Sequence, residues 1–238
     1  LPGLGEALAR AGHPAKAAEV LTRGVKLHPN DPLLWYQLGL PTGSIPAYEK
    51  AVALDPLLAD AWTVLGTSRA TAEDLPKAQS AFRSALKAEP DHPDALGNLA
   101  HLLSAGGDLP QAKYYFARAV RIRPNDAEVR FNYAVTLAGL KRFDEALQQA
   151  EAAVQADPKF PEAHNFKGTL LSRAGQPDAA LKAFEEALRL RPAFGLAHLN
   201  AAAILAGQRD FNAARAHLEQ AAKDKDPEIR RRALQQLR

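Results

Sequence analysis

Seven histidines and a set of regularly spaced asparagines are the side chains here best suited to chemistry. Imidazole ligates transition metals and moves protons near neutrality, but helical metal sites set two histidines four residues apart, as H-x-x-x-H or H-E-x-x-H. None of the seven is so placed. The phosphate-cradling G-x-x-x-x-G-K-S/T, the dinucleotide fingerprint G-x-G-x-x-G and the nucleophile elbow G-x-S-x-G are also missing. Glu185-Glu186 reads as solvated charge on an exposed helix. With no cysteine, there is no disulfide framework, thiolate metal site or cysteine nucleophile, and either redox compartment suits the chain. Catalysis is therefore not expected of this chain. The asparagines are more informative. Asn98 and Asn132 lie 34 residues apart, and Asn200 lies twice that interval further on. A carboxamide is both donor and acceptor, so a ladder of them can pair with the backbone of an extended peptide whatever its side chains.

That interval belongs to the whole chain. Pro56, Pro90, Pro124, Pro158 and Pro192 also recur every 34 residues, a period that marks stacked like units in place of one closed globule. Units counted from Ala59, Pro93, Ala127, Pro161 and Gly195 hold Trp62, Leu96, Arg130, His164 and His198 at the fourth place. The eighth place is always small, with Gly66, Ala100, Ala134, Gly168 and Ala202. The twentieth is always alanine, from Ala78 to Ala214, and Phe82, Phe116, Ala150, Phe184 and Leu218 follow four residues later. Apolar places at intervals of three, four and seven put one stripe on each of two helices, A and B, and the small residues let their backbones approach closely. Pairs such as Asp55-Pro56 and Asp157-Pro158 disfavour helix before the proline and separate B from the next A. Glycine-containing turns, at 105–108 and 175–178, separate A from B.

The pattern W-x-x-L-G, A-x-x-x-F-x-x-A, P resembles the tetratricopeptide repeat, most completely in Ala59 to Pro90, and recurs in register over nearly the whole chain. The resemblance implies an all-α, right-handed superhelical α-solenoid whose concave groove is lined by A helices. By the same carry-over, the second, fifth, sixth, ninth, twelfth and thirteenth places of helix A face that groove. They supply Tyr36, Gln37, Thr63, Thr67, Asn98, His101, Phe131, Asn132, Asn165, Phe166, Thr169, Arg173, Leu199 and Asn200 as peptide-binding candidates. The sixth-place asparagines resemble, in part, the ladder in the repeat domain of O-linked N-acetylglucosamine transferases, with Val64 and Phe166 as interruptions. They stand equally as local helix contacts. Phe131 and Phe166 either form a pocket for a peptide side chain or pack between repeats. His101 reads as a hydrogen-bonding group or a pH-sensitive one. His164 and His198 share a place that packs between helices, which is the expected role ahead of metal binding. The carboxylate clamp of chaperone-binding repeats is not met, because Glu128 and Asn132 occupy places that need basic residues.

The expected organisation is a single array over 1–238, with a partial first repeat at 1–31, a second at 32–58, full repeats at 59–92, 93–126, 127–160, 161–194 and 195–228, and a capping helix at 229–238. Pro29 to Pro56 is seven residues short of the period. Either that repeat is naturally short or the sequence omits residues near 40–44, and omission is the expectation. The leucine start and the lack of methionine suggest a piece of something longer, while the polar, arginine-rich end reads as a cap closing the stack. The run Arg230 to Arg232 suits a solvated face better than a grip on an acidic partner.

The formal charge of +3 is too slight to indicate nucleic acid or an anionic membrane. No apolar run approaches the roughly 20 residues of a membrane span, and 1–10 lack the features of a signal peptide. The sequence thus reads as a non-catalytic scaffold, without cofactor or metal, that binds an extended peptide or partner protein. Recruitment within a larger enzyme such as a glycosyltransferase is the alternative, and self-association through terminal repeats is a third reading. The compartment, cytoplasmic or extracytoplasmic, stays open.

Overall fold

The computed structural model describes residues 2–237, so Leu1 and Arg238, the outermost residues of the expected first repeat and cap, lie outside the described residues. Fifteen α-helices and no strand occur among the described residues. Contacts between Cα atoms group them into two units, Leu1–Ile122 and Arg123–Arg238. The first unit holds α1 (Pro2–Arg10), α2 (Pro14–Leu27), α3 (Pro32–Thr42), α4 (Ile45–Leu54), α5 (Ala59–Thr71), α6 (Leu75–Ala88), α7 (Pro93–Ala105) and α8 (Leu109–Ile122). The second holds α9 (Ala127–Gly139), α10 (Phe143–Ala156), α11 (Pro161–Arg173), α12 (Pro177–Leu190), α13 (Gly195–Gly207), α14 (Phe211–Ala221) and α15 (Pro227–Gln236). The fold is the all-α helix-pair architecture of an α-solenoid.

Each odd-numbered helix packs against the even-numbered one that follows, which in turn packs against the next odd-numbered helix of its unit. Within the units α1 meets α3, α5 meets α7, α11 meets α13 and α13 meets α15, whereas B helices do not approach one another comparably. The A helices thus lie on one side of the pairs in each unit, and α15 stands in an A-helix place. Its N-terminus is capped by Asp226, whose carboxylate accepts from the Glu228 amide at 2.8 Å.

The turn from A to B is one motif in six of the seven pairs. Gly12, Glu73, Gly107, Lys141, Gly175 and Arg209 all take left-handed backbone, with φ between 59° and 85°. Each donates its N–H three residues back, and its successor donates five back, as Asp74 does to Arg69 and Gln176 to Leu171. This is the Schellman closure, which satisfies the last carbonyls of helix A. Glycine fits it without strain, yet Glu73, Lys141 and Arg209 adopt it too. In the short second pair, Gly43 at φ 62° ends α3, and the Ser44 hydroxyl accepts from the Ala47 amide to start α4. Pro46 falls in the first turn of α4, where no donor is required.

The core of most pairs is a small residue with a large one at the facing place, Ala134 with Ala150 being the exception. Ala78, Ala112, Ala146 and Ala180 are completely buried, and the rings of Phe82, Phe116 and Phe184 are nearly so. A methyl group built on Gly66 or Gly168 would lie 2.5 Å from Cε1 of Phe82 or Phe184, so the ring occupies the volume that glycine leaves open. Burying each phenyl group contributes roughly 1.5–3 kcal/mol.

Candidate functional site

The A face carries hydrogen bonds that cross from one repeat to the next. On α5, Thr63, Thr67 and Thr71 donate their hydroxyls to carbonyls four residues back, at 2.9, 3.1 and 3.0 Å. Their oxygens remain acceptors. Asn98 on α7 uses one, donating Nδ2–H to Thr67 Oγ1 at 3.3 Å. The second unit repeats the arrangement. Thr169 donates to the Asn165 carbonyl, and Asn200 Nδ2 donates to Asn165 Oδ1 at 3.0 Å and to Thr169 Oγ1 at 3.5 Å. At Asn98 and Asn200 the amide nitrogen thus donates to the preceding repeat, while the carboxamide oxygen keeps its lone pairs.

The other candidates sit in varied surroundings. Thr63 and Asn165 are buried beneath their neighbours, and Leu199 is only 2% exposed, inside the core of α13, α14 and α15. Phe131 packs against Phe160 at 5.1 Å and edge-on against Phe166 at 5.8 Å, so these rings join α9 to α11 with partly exposed edges. The Arg173 guanidinium lies 3.7 Å over the ring of Phe143. Asn132 is half-buried, and its carbonyl accepts from the Thr136 hydroxyl. His101 is exposed. Tyr36 lies 6.4 Å from the Tyr48 ring, and burial, with the Asp60 charge second, holds its phenol above the usual range. Gln37, at the same sixth place as Asn98, has its Oε1 enclosed without a hydrogen-bond partner.

One recurring interaction was not visible in the sequence. The fourth-place side chain reaches back six residues to the carbonyl of the proline that closes the previous unit. Trp35 Nε1 donates to Pro29 at 2.8 Å, Trp62 Nε1 to Pro56 at 3.0 Å, and Arg130 Nε to Pro124. His164 and His198 bond Pro158 and Pro192 through Nε2, each at 3.0 Å, and a carbonyl partner requires that nitrogen to carry the proton. Leu96 has no such group, and Arg118 from α8 bonds the Pro90 carbonyl instead, along with Asp91. The one signal that would have revealed this is a donor six residues after Pro29, Pro56, Pro124, Pro158 and Pro192, with Pro90 the exception. His92 works differently: Nδ1 caps α7 by accepting from Ala95, and Nε2 faces Asp60 at 3.0 Å.

Among the described residues no three His, Asp or Glu side chains converge as a metal site, and no helix is long and apolar enough to cross a membrane.

Tandem antiparallel helix pairs with a small-against-large core define a class of stacked helical repeat proteins. Tetratricopeptide repeat family models match residues 63–127 and 167–228, residues 103–170 and residues 1–40. The chain belongs to the tetratricopeptide repeat family and is a protein-interaction scaffold. Among solved structures it is similar to YrrB, described as a tetratricopeptide protein with an unusual peptide-binding site, with 27% identity over 76% of this chain and 96% of that one, at a TM-score of 0.66. It is also similar to PilF of Pseudomonas aeruginosa, at 26% identity over 71% and 77% of the two chains, with a TM-score of 0.64. PilW, a type IV pilus biogenesis factor, shares the fold over 96% and 94% of the two chains, at 19% identity and a TM-score of 0.67. No curated protein matches the chain.

Proposed function

We propose that the A-helix face of each unit takes an extended peptide of a partner protein through its backbone, and that the chain carries out no catalysis. The observation that supports this most is the paired arrangement at Asn98 and Asn200. In both units the preceding repeat fixes the amide nitrogen and leaves the oxygen to accept a peptide N–H. Asn132 holds the same place and extends the series. An acceptor that reads backbone tolerates many side chains, and the exposed edges of Phe131 and Phe166 add selectivity for an apolar residue. The described peptide-binding site of YrrB is consistent with such a role.

The test begins with peptides selected by the wild-type chain from a random display library. Their affinity is then measured for wild type and for the combined variant Asn98→Ala, Asn132→Ala, Asn200→Ala. Three hydrogen bonds at about 1 kcal/mol each correspond to a loss on the order of 100-fold. Far-UV circular dichroism should stay unchanged. Unaltered affinity in a folded variant would move the site to the B helices or to an edge.

A further inference from the structure

In the first unit the short second pair leaves a hollow beside its B helix. α4 has 10 residues where α6, α8, α10 and α12 have 14, so about one turn is missing. Between α4, α5 and α6 lies a cavity of about 360 Å³ floored by Val52, Trp62, Leu65 and Ala81. Arg69 also lines it, in the place that Leu103, Leu137, Leu171 and Leu205 hold in the four following repeats, where each leucine is buried. The Arg69 guanidinium bonds Glu49 on α4 and Asp74 at 3.1 Å, and Asp74 also pairs with Lys77 at 2.9 Å. Because these charges close on one another, the hollow has an apolar floor and a neutral rim.

At Ser80 the cavity meets a second, shallower hollow of about 380 Å³ that follows α6 from Pro76 to Lys87. Those eleven steps make about 16 Å of helix, the length of about five residues of extended chain. The flank is basic. α6 carries Lys77, Arg83 and Lys87 without a carboxylate, and its neighbour α8 carries Lys113, Arg118 and Arg121 without one. α10, the equivalent helix of the next repeat, carries Asp144, Glu145 and Glu151 and no basic residue, so the repeat itself does not call for this charge. The nearby acids stand at helix ends, where Asp74 takes Arg69 and Lys77, and Asp91 takes Arg118 and Arg121. Arg83 donates to the neutral Gln111 at 3.0 Å, which leaves its charge, with that of exposed Lys87, facing solvent along the trough.

We propose that this side of the first unit docks an acidic segment of a partner protein, with one large apolar side chain in the cavity between α4 and α6 and carboxylates along Arg83 and Lys87. Volume and charge select the occupant together. The cavity lies within the roughly 300–1,000 Å³ of pockets that enclose a ligand, and its floor takes a leucine or an aromatic ring. Opposite charge along the trough steers the segment and fixes its register. A bare polyanion would answer the charge but leave the apolar floor uncovered. The surface is separate from the amides of Asn98 and Asn200 and does not depend on them.

The test sorts peptides selected on the wild-type chain from a random display library. Those for this surface should carry Asp and Glu around one Leu, Phe or Trp. They should bind the combined Asn98→Ala, Asn132→Ala, Asn200→Ala variant as they bind wild type, and weaken as salt is raised. Their affinity should fall at least about tenfold in Arg69→Leu, which restores the residue of the other repeats, and in the double variant Arg83→Glu, Lys87→Glu. Ser80→Trp, on the exposed lip, blocks the cavity without touching an ion pair and decides the matter should Arg69→Leu not fold. The proposal is overturned if no acidic peptide is selected, or if acidic peptides weaken in the charge reversal but not in Arg69→Leu or Ser80→Trp. It is also overturned if a single-stranded oligonucleotide displaces a labelled peptide at lower concentration than the unlabelled peptide does. Peptides lost only in the asparagine variant report on the A face, so either reading can fail alone.

Discussion

Placing a methyl group on Gly66 tests whether the small-against-large rule is steric. An ideal Cβ there would lie 2.5 Å from Cε1 and 2.7 Å from Cδ1 of Phe82, whose side chain is 2% exposed. Ordinary carbon contacts are about 3.5–4.0 Å, so the ring must retreat by about 1 Å into a filled core. Overpacking of this kind costs about 1–3 kcal/mol. Alanine is favoured over glycine inside a helix by about 0.8–1.0 kcal/mol, so Gly66→Ala alone should destabilise by about 0–2 kcal/mol. Ala100 and Phe116 occupy the same two places natively and are both buried, which argues for the lower half of that range. Phe82→Ala alone should cost about 3–5 kcal/mol. In the double variant the clash is gone, and the two places match the native Ala134 and Ala150, both fully buried. Gly66→Ala should then stabilise, by up to about 1 kcal/mol, in the Phe82→Ala background. The coupling between the two sites equals the overpacking term, about 1–3 kcal/mol. Urea unfolding of the four proteins, followed by far-UV circular dichroism, measures it. If Gly66→Ala has the same effect in both backgrounds, within about 0.5 kcal/mol, the steric argument is wrong.

Three further outcomes are expected. Trp62→Phe replaces the indole by a smaller ring and removes the bond to the Pro56 carbonyl, and should lower the unfolding free energy by at least about 0.5–1.5 kcal/mol in the same urea assay. Gln37→Met replaces an enclosed oxygen that lacks a partner, and should raise stability by about 1 kcal/mol, read as a thermal shift of about 2–4 °C. Asp74 is held below the usual carboxylate range, chiefly by its hydrogen bond to Lys77. Its contribution is therefore present above the ordinary aspartate value and is lost as pH falls through that value toward the lower folded one, so Asp74→Asn should flatten the acid limb of a stability–pH profile.

The repeat was legible because it rests on volume. Small residues at the eighth and twentieth places mark where the two helices approach, and prolines mark the joints, whereas the filling of the space over Gly66 and Gly168 by the rings of Phe82 and Phe184 is seen only in the structure. Geometry that depends on polar direction was not legible. Trp62, Arg130 and His164 share no size or charge, only an N–H at a certain reach, and so their common bond to a proline carbonyl stayed hidden. Glu73, Lys141 and Arg209 take left-handed backbone that a reading based on glycine does not anticipate. At the candidate site the sixth-place asparagines stood out by their period. Which end of each amide is spent on Thr67 or Thr169 depends on the neighbouring helix. His198 and His217 meet Nδ1 to Nδ1 at 2.9 Å across two places of a single repeat, so no period could announce it.

The reach from the fourth place to the proline carbonyl has an implication for how such a chain changes over generations. The oxygen asks only that some donor arrive, and Arg118 shows that the donor can come from the opposite helix when Leu96 offers none. A mutational path can therefore pass from tryptophan to histidine or arginine, and to leucine where the opposite helix already carries a donor, without leaving the joint unsatisfied. Repeats that have lost the hallmark aromatic residue can keep the hallmark joint.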